Sequence, residues 1–255
     1  MNAQKESIDW DALSKLENLR PVIDPHDAKG SKNYLIDLIH WNVLRTHLLG
    51  SKNVLDFGCG IGRFAKRINA LGINYIGIDP SLGMIQKAID FNGSKYFKHF
   101  DGFKIPFSSE AFDTVIVSEV LIYILKTPAG SLALSEIHRV LKSEGCLLMI
   151  EQASISGRKS ESASDILTEN DYVQALSAFF EVKNSYKVRS PDFSAMACRI
   201  IESPKVPLSV FRYIAGILAN YEAGLVAKAP EAYFKTTSYY DFLIQARAIK
   251  SNSNQ

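Results

Sequence analysis

Three glycines, Gly58, Gly60 and Gly62, alternate behind Asp56 in a D-x-G-x-G-x-G pattern, and this is where the chain first shows the makings of chemistry. Glycine lets the backbone turn tightly and come close to a ligand that any Cβ would push away. The bare N–H groups at the start of a following helix favour an electron-rich group. Such a turn suits a nucleotide-like cofactor. A dinucleotide fingerprint asks for G-x-G-x-x-G, but Arg63 stands where its third glycine would be, which makes NAD the weaker reading. Further along, Asp79, Asp101, Glu119 and Glu151 each close or follow a short apolar run. If a hydroxyl is to be activated, Glu119, Tyr123 and Glu151 are the candidate bases, since they fall at or just beyond strand ends. His26, His40 and His47 are isolated histidines and read better as surface or packed residues than as bases.

These residues need elements to hold them. Val54, Leu55 and Phe57 form the apolar run of a strand covered on both faces, and Phe64, Ala65 and Ile68 then recur at helical spacing, with Arg63, Lys66 and Arg67 outside. The same strand-turn-helix grammar returns at Tyr75, Ile76 and Ile78, with Pro80 or Ser81 opening the helix. Asp79 has a plainer alternative there as a helix cap. Strands are expected at Tyr96–Phe100, Val115–Val117, GCLLMIE, EVKNSYKVRS and YYDFLIQARAI, and helices in LALSEIHRVLK and from Thr168 to Phe179. Alternating strands and helices make an α/β fold with a mostly parallel sheet. Ligands of such sheets bind outside the carboxyl ends of the strands, so Ser118, Glu119 and Tyr123 face the reaction. Before the first strand, Ser7 can cap a helix with Ile8, Ala12, Leu16 and Leu19 on one face. RPVIDPHDAKGSKN breaks it, and a second helix runs from Tyr34 to Leu49.

VLDFGCGIGRFAKRI resembles the first motif of class I S-adenosylmethionine-dependent methyltransferases of the small-molecule kind. KYFKHFDGFKIPF is similar to the family's third motif, with Ile105, Pro106 and Phe107 in a Leu-Pro-Phe role, and the helix carrying Glu136 and Arg139 also fits the family's pattern. The resemblance implies a Rossmann-like seven-stranded sheet, mostly parallel with a reversed last strand, and helices on both faces. It implies S-adenosyl-L-methionine as cofactor, with S-adenosyl-L-homocysteine as product. In that reading Asp79 receives the ribose hydroxyls and Asp101 the adenine amino group, while the backbone at Gly102 and Phe103 meets the ring. Asp56, Phe57, Gly58, Cys59, Gly60, Gly62, Pro80, Met84 and Ser118 complete the cofactor set. The resemblance departs at Tyr123, where many relatives carry histidine, at Phe100, and at the Ser143-Glu144-Gly145 turn. No metal ligand set is expected.

With 255 residues, 47% of them hydrophobic, the chain can bury one large core with a small elaboration. Residues 1–50 read as an N-terminal helical cap and 51–255 as the methyltransferase domain, with an insertion at 191–238. Val210, Phe211, Ile214, Leu218 and Tyr221 give the insertion an apolar helix face, which fits a substrate lid, a homodimer surface or plain packing. Arg212, Tyr213, Lys228, Tyr233 and Lys235 favour the lid. Lys+Arg 29 against Asp+Glu 27 gives a net charge of +2, with no basic and aromatic interleaving, which excludes a nucleic-acid partner. Cys59, Cys146 and Cys198 are odd in number and widely spaced, as suits reduced thiols. No signal-like start or membrane span is expected, and the location is read as cytoplasmic. The function expected is methyl transfer to a small molecule, with a saccharide or nucleotide-sugar hydroxyl favoured by the charged Pro21–Asn33 loop. The alternatives are a nicotinamide-dependent oxidoreductase or a non-catalytic cofactor-binding protein.

Overall fold

A computed structural model describes residues 8–154, 167–192, 194, 208–226, 228 and 239–250. Seven strands form one sheet: β1 (Asn53–Phe57), β2 (Asn74–Asp79), β3 (Phe97–His99), β4 (Phe112–Ser118), β5 (Leu141–Ala153), β6 (Phe180–Arg189) and β7 (Tyr240–Ala248). Their spatial order is β3-β2-β1-β4-β5-β7-β6, with β7 antiparallel to both neighbours. The order reverses direction between β1 and β4, whose parallel register pairs Leu55 with Val115 and Phe57 with Val117. A ligand crevice is expected at that point.

The central strands are apolar on both faces, and two cores result. Leu55, Val115, Val117, Met149 and Phe242 pack beneath α6 (Pro128–Val140) and α7 (Glu169–Leu176). Val54, Ile116, Leu148 and Leu243 pack beneath α2 (Ser31–His47), α3 (Ala65–Ala70), α4 (Leu82–Asn92) and α8 (Leu208–Val226). Local signals set the helix starts. Ser81 Oγ accepts from the Met84 N–H at the start of α4, and Thr168 and Asp171 form a reciprocal capping box on α7. Glu136 and Arg139 close the turn that carries Ile105 and Phe107: Arg139 donates to both carbonyls, and Glu136 accepts from the Ile105 N–H.

Several elements depart from their sequence patterns. The first helix, α1, spans only Trp10–Ser14, is capped by Asp9, and leaves Ala12 exposed while Ser14 is buried. Tertiary contact overrides the helical period here, because α1 docks on the N-terminus of α4: Asp11 Oδ1 accepts from Ser81 Oγ (2.6 Å) and from the Gly83 N–H (2.8 Å). Ser7 lies outside the described residues. Tyr96 belongs to a 3₁₀ turn, which shortens β3 to three residues. The expected turn at Ser143–Gly145 survives as a positive-φ Glu144 inside the span of β5. Helix α8 presents Ala215, Ala219, Glu222 and Val226 inward, with Ile214 and Leu218 half-buried, whereas Val210 and Tyr221 are exposed. Its packing face is thus rotated from the apolar stripe read from the sequence. Among the described residues, no helix is long and apolar enough to cross a membrane.

Candidate active site

The carboxyl ends of β1, β2 and β4 open into a cavity of ≈ 440 Å³ at the switch in strand order. Gly58, Gly60 and Gly62 take φ of +72°, +52° and +68°, a region that only glycine enters without strain. Gly58 and Gly60 line the cavity; Gly62 lies behind it, where an added Cβ would strike the Phe97 ring at 2.4 Å. Gly62 therefore makes the helix-to-strand packing close, while its two neighbours shape the cradle.

Asp79 sits beside that cradle at the end of β2, 8% exposed. Its Oδ2 accepts from the Gly60 N–H (2.8 Å) and its Oδ1 from the Ser81 N–H (2.9 Å), which fixes the plane of the carboxylate. Burial raises its pKa, against the pull of those two N–H groups. Asp56 is buried deeper: burial pushes it to about 6 even though the Tyr75 hydroxyl donates to it at 2.7 Å. Phe57, Cys59, Pro80, Met84, Gly102 and Ser118 also line the cavity. Asp101 and Phe103 do not. Both are exposed, and Asp101 Oδ1 accepts from the Phe103 and Lys104 N–H groups, which tie it to its own turn and lower its pKa.

The three candidate bases separate. Glu119 lines the cavity at a φ of +59°, with its Oε1 buried and unpartnered among the described residues. Burial, with Asp241 and Glu151 nearby, holds its carboxyl well above the usual range. Tyr123 lines the cavity too, its ring edge-on to Trp10 and its hydroxyl pKa raised by burial. Glu151 is fully buried and lies outside the lining. Its carboxylate accepts from the N–H groups of Val120, Leu121 and Ile122, so it anchors the start of the short helix α5 (Leu121–Ile124). Burial still brings it to about 7. A carboxylate saturated by backbone donors is a positioning group and a poor base.

Sequence patterns alone overlooked a polar chain across the cavity floor. Arg63, expected on the outer face of its helix, turns inward with its side chain 6% exposed. Its Nη2 donates to Ser118 Oγ (2.8 Å) and approaches His40 Nδ1 (3.2 Å). His40 Nε2 lies 2.9 Å from Asp241 Oδ2, and Asp241 is gripped side-on by Arg189 through Nε and Nη2. These partners fix a neutral His40 with its proton on Nε2, in keeping with a pKa lowered by burial. Burial opposes ionisation of Asp241, but the Arg189 guanidinium and His40 outweigh it and hold Asp241 at about 2. The readable signal was a charge beside the apolar run Phe242–Ile244, Asp241, whereas Arg189 ends a strand already rich in charges and gave none. His40 is buried as an isolated histidine would be, but it is a working member of this chain.

The N-terminal segment roofs the cavity with Trp10, Leu13, Val22 and Ile23; Val22 Cγ1 stands 2.5 Å from where a Gly60 Cβ would be. The charged loop beneath it is engaged with itself. Lys32 Nζ pairs with Asp24 at 2.7 Å, and Asp27 accepts from the N–H groups of Gly30 and Asn33. None of the described residues of α8 lines the cavity. The helix packs along α2 and β6, which supports plain packing over the lid; Tyr233 and Lys235 lie outside the described residues.

Residues 55–149 match a family described as Methyltransferase domain. That stretch, less than half of the chain, is similar to this methyltransferase family. An uncharacterized methyltransferase of Schizosaccharomyces pombe is 32% identical over 108 residues, covering 40% of this chain and 41% of that protein. A malonyl-[acyl-carrier protein] O-methyltransferase of Legionella pneumophila is 29% identical over 105 residues, covering 39% and 36%. The match thus spans less than half the length of these relatives. Among solved structures, the geranyl diphosphate C-methyltransferase of Streptomyces coelicolor, in complex with Mg²⁺, geranyl diphosphate and S-adenosyl-L-homocysteine, superposes with a TM-score of 0.59. It is 14% identical, covering 96% of this chain and 94% of that one, a likeness of fold.

Proposed function

We propose that the protein is an S-adenosylmethionine-dependent methyltransferase acting on a small molecule. The observation that carries this is the Asp79 carboxylate, fixed by the Gly60 and Ser81 N–H groups beside a positive-φ glycine turn and facing a roofed cavity. Each Asp79 oxygen spends one lone pair on the backbone and keeps another for a ribose hydroxyl. Gly58 and Gly60 leave backbone exposed to the ligand, and Pro80, Met84 and Gly102 line the side that would take the adenine. Asp101 lies outside the lining with its Oδ1 taken by its own turn, which leaves it the lesser part of the adenine contact. When bound, the cofactor supplies a methyl group already activated on a sulfonium. The chain's own task is then alignment and the exclusion of water, which the Trp10, Leu13 and Val22 roof serves. Glu119 brings to the cavity a buried carboxyl oxygen without a partner among the described residues. For a saccharide acceptor the support is the loop of residues 21–33, where Asp24 and Lys32 line the cavity as an ion pair while Asp27 is bonded to the backbone.

Isothermal titration with S-adenosylmethionine, S-adenosylhomocysteine and NAD tests the proposal. Both adenosyl compounds should bind and NAD should not. Binding of NAD alone would replace this reading with a dehydrogenase, and binding of none would remove it.

A further inference from the structure

Past the glycine turn, the cavity ends in a corner made where four strand ends meet. Glu119 follows β4, Gln152 lies near the end of β5, Arg189 closes β6, and Asp241 opens β7 between Gln152 and Arg189 in the ladder. Two atoms here are buried without a partner among the described residues, Glu119 Oε1 and Arg189 Nη1. Arg189 is 2% exposed and gives Nε and Nη2 to Asp241, and the Tyr239 ring lies 5.6 Å from the guanidinium carbon and interacts with it, which leaves Nη1 as the corner of the fork without a geometric hydrogen-bond partner. A buried polar atom left unpaired costs about 1–3 kcal/mol. Two of them lining one cavity point to a group that arrives from outside.

Charge decides what kind of group. His40, Glu119 and Asp241 offer ligand atoms within 4.8 Å of one another, a spacing that could hold a metal ion. Against this, both Asp241 oxygens are taken, His40 Nε2 is turned to Asp241, and Arg63 and Arg189 flank the cluster with positive charge. A cation would have to displace these bonds and face two guanidinium groups. An anion meets the opposite balance. Arg189 is matched by Asp241, but Asp37 alone serves both Arg63 and Arg67. Of the other nearby carboxyls, Asp56 acts on Arg63 and accepts from the Tyr75 hydroxyl, while Glu151 and Glu222 are bonded to the backbone at Val120–Ile122 and at Ser190. With Glu119 protonated, as its buried setting favours, its carboxyl is a hydrogen-bond donor.

We propose that the methyl acceptor carries a carboxylate, which docks between Arg189 Nη1 and the Glu119 carboxyl. This rests on the methyltransferase reading and narrows it to a substrate class. A flat, singly charged group with two acceptor oxygens satisfies both orphaned atoms at once, as Arg–carboxylate geometry allows.

The test is calorimetric titration of the full chain saturated with S-adenosylhomocysteine, using acetate, octanoate and benzoate against acetamide, octanamide and benzamide. At least one acid should bind about tenfold or more tighter than its amide, the size of one charge-assisted hydrogen bond. Arg189→Lys should erase that preference. Because Arg189 also neutralises buried Asp241, Glu119→Ala and Glu119→Gln provide a second arm: alanine should weaken the acid and glutamine, which keeps a donor, should retain it. Acids that bind no better than amides, or acid binding indifferent to both Glu119→Ala and Arg189→Lys, would overturn the proposal while leaving S-adenosylhomocysteine binding intact. If S-adenosylhomocysteine itself does not bind, the methyltransferase reading falls and this one falls with it.

Discussion

Replacing Asp79 by alanine removes the acceptor of two backbone N–H groups and the carboxylate proposed to hold the ribose. Each hydrogen bond to a charged group is worth about 1.5–3 kcal/mol. Losing one such bond's worth lowers affinity for S-adenosylhomocysteine by roughly 10- to 150-fold. Stability should change far less. Burial raises the Asp79 pKa, so its contribution to stability is complete below the unfolded value and lost as pH rises through the folded one. At neutral pH the ionised group therefore weighs against folding, and its removal offsets part of the two lost backbone bonds. Asp79→Asn retains the volume but sets its amide donor against one of the two N–H donors, so its affinity should fall between wild type and alanine. Titration with S-adenosylhomocysteine together with thermal melting reads both quantities. Unchanged affinity in Asp79→Ala would show that the carboxylate only caps α4, and the ribose assignment would be wrong.

Asp101→Ala should weaken S-adenosylhomocysteine less than Asp79→Ala, because Asp101 is exposed and bound to its own turn; a larger loss by titration would reverse the ordering. Gly62→Ala should lower stability by about 2–4 kcal/mol in denaturant unfolding, since a Cβ meets Phe97 at 2.4 Å and φ is +68°; a stable variant with impaired binding would instead place Gly62 in the cradle. Glu151→Gln should destabilise by about 1–3 kcal/mol, because one amide oxygen cannot serve three N–H donors; a stable but inactive variant would return Glu151 to the candidate bases. The melting temperature of the ligand-free protein should fall from pH 5 to pH 8. Asp56, Glu151 and Glu222 are raised to about 6, 7 and 7, and stability held by raised carboxyls is lost as pH climbs through those values. Asp241, held near 2, contributes stability that is lost only as pH falls toward that value. A melting temperature that rises steadily over the same range would contradict these burial-driven shifts.

The meeting of Gly58, Gly60 and Asp79 at one cavity was legible because each of these parts is local. Gly58, Gly60 and Asp79 lie on two strand-turn-helix units whose apolar runs and turn residues are contiguous in the chain, and the parallel register then sets them side by side. What the sequence hid depends on contacts between distant segments. The patterns of α1 and α8 misplace their buried faces because the period sees only the helix, whereas Asp11 reaches Ser81 and α8 settles against α2. Arg63 looks solvent-facing beside Lys66 and Arg67, but Ser118 and His40 draw it inward across 55 and 23 residues of sequence separation.

The reversed last strand explains why the corner proposed for the acceptor was the hardest part to foresee. In a parallel sheet the carboxyl ends of strands face the site, and β4, β5 and β6 obey this with Glu119, Gln152 and Arg189. Because β7 runs the other way, its beginning arrives at the same edge, and a residue that would be remote in a parallel strand becomes central. Asp241 occupies that place. Burying an ion pair such as Asp241–Arg189 brings little net stability over an apolar pair of similar volume. An apolar core would have served folding as well, so the charges at this edge, with one fork corner and one carboxyl oxygen left unpaired, are better explained by what they bind than by what they stabilise.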